Sequence, residues 1–139
     1  MALTLLLSRL LLATIFIVAA PRHFTAEAAT HAANLGVPWA KALVPISGAM
    51  ALIGGLSVLL GFRADWGAWI LVAFLLPVTL MMHGFWKLDD PVTIRVQKAM
   101  FLKNLTILGG LLLLTQLGSG AWSIDAARGA LPESGRTRA

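Results

Sequence analysis

Four long apolar runs dominate the chain, at about residues 3–22, 42–62, 66–85 and 99–118. Each is continuous rather than alternating, as in LGGLLLLTQLG, so the pattern is helical and not that of a membrane β-barrel. A helix of about 20 apolar residues crosses a ~30 Å hydrocarbon layer. Lipid offers no partner to free backbone N–H and C=O groups, so each run must close its own hydrogen bonds as a helix. The fold class read from this pattern is all-α: an integral membrane four-helix bundle with both termini on one side.

The polar breaks between the runs define the connections. TAEAATHAANLGVP predicts a short interfacial helix over about 26–34 between spans one and two, stopped by Gly36 and Pro38. The tight turn at Arg63, Ala64 and Asp65 makes spans two and three antiparallel neighbours, and Trp66 and Trp69 fall where an aromatic belt belongs. Asp90 before Pro91 has the form of a helix cap, so the fourth helix starts outside the membrane and runs to Leu117. At 1.5 Å per residue it is about 40 Å long. One four-span domain is expected over 1–126, with a polar tail over 127–139. Arg9 lies inside the first run and Pro21 follows its small residues, so the amino-terminal segment reads as a retained span rather than a cleaved signal.

Composition agrees with this class. Hydrophobic residues make up 58% of the chain, charged residues only 12%, and the mean hydropathy is +0.83. The net charge of +5 is spread over loops and tail, which fits membrane edges and gives no nucleic-acid footprint. Cysteine and tyrosine are both absent, which removes thiol redox chemistry, thiolate ligands and phenolic donors. The location read from these features is the bacterial inner membrane, with several passes.

Threading four spans brings polar residues of three helices to the edge opposite the termini. His23 closes span one, His83 and Trp86 close span three, and Lys103 and Asn104 stand at the entry of span four. Ionisable groups inside spans usually face the bundle or a cavity. These five residues are therefore candidates for a polar pocket, in which His83 and Lys103 would face the head of a quinone or a similar small molecule and Trp86 would anchor the edge. A haem held by His23 and His83 has no supporting motif, and neither histidine is centred in a span. On the other side Arg9 needs a partner, with Asp65, Asp125 or backbone carbonyls available. Small residues at intervals of four, Ser47, Ala51 and Gly55 with Thr106 and Gly110, predict close helix packing.

Several segments together resemble one family. SRLLLATIFIVAA, NLGVP, LIGGLSVLLGF, HGFW, FLKNLTILGGLLLL and GSGAWSID, spread over about residues 8–126, are similar to the DoxX family of small four-span bacterial membrane proteins. The resemblance implies association with membrane redox complexes, since DoxD-type relatives belong to thiosulfate:quinone oxidoreductase. It implies a subunit rather than an autonomous enzyme: where many members carry an acidic residue before the glycine pair of span two, this chain has Ala51. The alternative is a non-catalytic scaffold that gathers partner proteins. Expected partners are the lipid bilayer, other membrane or redox proteins, and further copies of the chain in a homo-oligomer.

Overall fold

The computed structural model describes residues 1–129. Four helices are long and apolar enough to cross a membrane. They are α1 (Ala2–Ala19), extended by a 3₁₀ segment Ala20–Phe24, then α3 (Ala40–Leu60), α4 (Ala64–Met82) and α5 (Pro91–Leu117). A nine-residue helix α2 (Ala26–Asn34) lies between the first two, and α6 (Ile124–Ala127) follows the last. No strand occurs among the described residues. Most of the expected tail lies outside them.

Local chemistry sets the helix ends. Thr25 caps α2, its hydroxyl accepting from the Ala28 N–H at 3.2 Å. Asp90 caps α5, its carboxylate accepting from the Thr93 N–H at 2.7 Å and the Thr93 hydroxyl at 2.6 Å. Those bonds, the side-chain one foremost, hold the Asp90 carboxyl below its ordinary range. Helix α3 closes on Gly61 at φ +64°, a left-handed conformation that glycine adopts without strain.

The long helices pack in the order α1, α3, α4, α5, and α1 touches α5 only sparsely. Small residues permit the close crossings. A Cβ on Gly54 would meet Leu71 Cγ at 2.8 Å and the Gly67 carbonyl at 3.0 Å, and one on Gly55 would meet Ile17 Cγ1 at 2.9 Å. Ala51 is fully buried. Gly110 takes the same role against Leu12. Leucines on the opposite faces, such as Leu11, Leu113 and Leu117, remain exposed and form the surface offered to lipid.

At the end that carries residue 1 and α6, Arg9 is 2% exposed and ties three segments together. Its Nε donates to the Val58 carbonyl at 3.0 Å and one terminal nitrogen to the Leu59 carbonyl at 3.0 Å. The other terminal nitrogen donates to the carbonyls of Ser119 at 2.5 Å and Trp122 at 2.9 Å. Of the partners expected for Arg9, the backbone carbonyls hold its guanidinium directly and neither carboxylate does. Two of them lie in the last turn of α3, where the helix dipole presents negative charge. Asp125 acts one bond away. It accepts from the Ser119 hydroxyl at 2.5 Å and from the Arg63 N–H at 2.8 Å, so it caps the start of α4. Asp65 sits half-buried in the first turn of α4 and makes no ion pair with Arg9.

Candidate functional site

At the opposite end, the close of α1, helix α2, the start of α3 and the close of α4 border a half-open cavity of about 850 Å³. Its apolar wall includes Val44, Met50, Phe74, Pro77, Val78 and Met82. Its polar wall includes Arg22, Glu27, Ser47 and all three histidines of the chain, His23, His31 and His83. That size and mixture suit a small molecule with an apolar body and a polar head.

Each histidine is delivered differently. His23 rides on the 3₁₀ extension of α1 and lies against α3 at Gly48, where a Cβ would come within 2.6 Å of the His23 Cβ. Its ring meets Phe74 edge-on at a centroid distance of 5.6 Å, and its Nδ1 is 3.2 Å from the Ala19 carbonyl. His31 stands in the last turn of α2, with its side chain exposed toward the cavity mouth. His83 ends α4, its N–H still bonded to the Thr79 carbonyl at 3.3 Å, and its Nδ1 donates to Gln97 Oε1 at 2.7 Å. Arg22 and Glu27 face each other across the rim at 4.0 Å, both well exposed, so their pairing contributes little to stability.

Of the five residues expected to form a pocket, only His23 and His83 line this cavity. Asn104 is buried and donates to the Thr79 hydroxyl at 3.1 Å, tying α5 to α4. Lys103 is exposed on the outer surface. Trp86 packs edge-on against Phe85 and Phe101, at 5.2 and 5.7 Å between ring centroids, in an aromatic cluster outside the cavity. A shared pocket of His83, Lys103 and Asn104 is therefore replaced by a pocket of His83, His23 and His31 on the other side of α4. Sequence reasoning missed His31 and Gln97. The signal for His31 was its position six residues after a helix cap, on a helix fixed at both ends.

Comparison with known proteins follows the same lines as the fold. A model of the SURF4 family matches residues 4–130. Inner membrane protein YqjF of Escherichia coli strain K12 is 34% identical over 122 residues, covering 86% of this chain and 88% of that protein. Surfeit locus protein 4 homolog of Schizosaccharomyces pombe is 32% identical over 91 residues, covering 65% of this chain and 29% of that protein. No solved structure matches. The resemblance to the DoxX family is corrected by these matches, because the segments that suggested it all fall inside the SURF4 match. The redox association inferred through that resemblance loses its basis with it.

Proposed function

Because the chain belongs to the SURF4 family, a family of membrane proteins, we propose that it is a non-catalytic binding protein. It holds a small apolar-bodied molecule in the cavity between α2 and the ends of α1, α3 and α4. It resides in the bacterial inner membrane with several passes, the location that the name of the Escherichia coli relative gives for that protein. The domain is one four-span unit over 1–126, and α2 lies at the membrane interface, where it roofs the cavity.

The observation that carries this reading is the gathering of every histidine in the chain on one cavity wall. Lipid-facing helices give no general reason for three separated polar residues to converge. The same wall argues against nucleophilic catalysis. Ser47, the serine of the cavity, donates its hydroxyl proton to the Val44 carbonyl at 2.7 Å and not to a histidine. An activated nucleophile needs a base within hydrogen-bond reach.

Filling the cavity tests the reading. Ala28 is half-buried on α2 and lines the cavity, so Ala28→Trp places a bulky ring inside it while the helix backbone is kept. Native mass spectrometry of the detergent-purified protein is expected to show a bound small molecule at one per chain, lost in Ala28→Trp. Equal occupancy in both proteins would contradict the reading.

A further inference from the structure

Two histidines of the cavity wall offer the same kind of hydrogen bond. A carbonyl or amide oxygen only accepts, so the Nδ1 atoms of His23 and His83 carry their protons toward Ala19 and Gln97. In the neutral imidazole the remaining nitrogen, Nε2, is then an acceptor. Neither Nε2 has a hydrogen-bond partner among the described residues and neither is a buried unpartnered atom, so each is accessible and free to accept a bond, and both residues line the cavity. Pro77 adds a third acceptor. It has no N–H, so the Ala73 carbonyl lacks its helical donor four residues on, and both residues line the cavity.

Both hydroxyl donors on the same wall are already used. The Ser47 hydroxyl goes to Val44, and the Thr30 hydroxyl goes to the Ala26 carbonyl at 2.9 Å. Charge is balanced as well, because Arg22 stands opposite Glu27. The pair therefore adds no net charge that would select an anionic or a cationic head.

We propose that the cavity receives a neutral, hydroxyl-bearing amphiphile. Its hydroxyl groups donate to Nε2 of His23 and His83, and its apolar body lies on Met50, Phe74, Val78 and Met82. This rests on the reading of the cavity as a ligand site and adds the chemistry of the ligand's head. Unpartnered acceptors above an apolar floor select donors: a ligand without a hydroxyl leaves them dry and unsatisfied, which costs affinity.

The test compares three probes that share one acyl chain: 1-monooleoylglycerol, methyl oleate and oleate. Their affinities are measured by native mass spectrometry on the full chain in detergent. The expected result is about tenfold tighter binding of monooleoylglycerol than of methyl oleate, the effect of one to two hydrogen bonds. His23→Phe/His83→Phe, which keeps aromatic bulk, should bind both about equally. Should that variant not fold, His83→Gln alone serves and is expected to narrow the preference. Equal binding of monooleoylglycerol and methyl oleate by the native chain would overturn the hydroxyl preference while leaving a ligand site. Tighter binding of oleate would overturn it in favour of an anionic head. No binding of any probe, with a small molecule still copurifying, would overturn the amphiphile class alone. If nothing copurifies either, the cavity reading falls with it.

Discussion

Arg9→Met is expected to destabilise the folded protein by about 3–5 kcal/mol, read as a lower midpoint in detergent unfolding. The guanidinium makes four hydrogen bonds, to the carbonyls of Val58, Leu59, Ser119 and Trp122. Methionine fills much of the volume but leaves the Leu59, Ser119 and Trp122 carbonyls without that donor, at ~1–3 kcal/mol for each that water cannot reach, while Val58 keeps the Gly61 N–H at 3.2 Å. The loss is shared by three segments, since Arg9 joins α1 to the end of α3 and to the turn after α5. Arg9→Lys should recover only part of it, because a single ammonium cannot reproduce the planar fork that spans carbonyls from two segments. A loss below about 1 kcal/mol for Arg9→Met would show that water replaces the arginine in this knot.

Gly54→Val should have the second largest effect, a loss of about 2–3 kcal/mol from overpacking. At this crossing the α3 and α4 backbones approach so closely that a single Cβ would stand 3.0 Å from the Gly67 carbonyl. Leu71, the other neighbour, is fully buried and has no space to retreat into. Helix association in lipid depends on such close contact, because burial of apolar surface contributes little there. Gly109 offers an internal control. A Cβ at that position meets nothing within 4 Å, so Gly109→Val should be close to neutral. Equal effects at the two sites would remove the packing explanation.

The sequence carried the fold well because the signals that place four spans are long-range averages. Apolar runs of some 20 residues leave little choice of structure in lipid. The Asp90–Pro91 start and the limits of α2 at Ala26 and Asn34 were also legible, since capping and stopping depend on a few local residues. What the sequence did not carry is which face of each helix turns inward. In a soluble helix the apolar stripe marks the core, but in these spans both faces are apolar. Lys103 and Asn104 show the consequence. Adjacent residues stand about 100° apart around a helix, so one can be buried against Thr79 while the other is exposed.

Partner identity was hidden for a related reason. A carboxylate is visible in a sequence as a residue, whereas the carbonyls at the end of α3 that hold Arg9 are carried by every residue type. His83 met Gln97, 14 positions later, because α5 begins outside the apolar run and brings its second turn beside the end of α4. The family resemblance misled where the structural reading did not. Glycine pairs, an aromatic exit and a leucine-rich fourth span reflect how four helices pack in lipid, and such features recur without shared function.

The central claim is that the cavity bounded by His23, His31 and His83 is a small-molecule site. An electron-cryomicroscopy structure of the protein extracted from its native membrane into lipid nanodiscs tests this most directly. The account predicts density for one elongated small molecule, with its polar end within hydrogen-bond distance of His23 and His83 and its body against Phe74 and Met82. A cavity filled instead by side chains of a second protein chain, or collapsed so that α2 rests directly on α4, would contradict it.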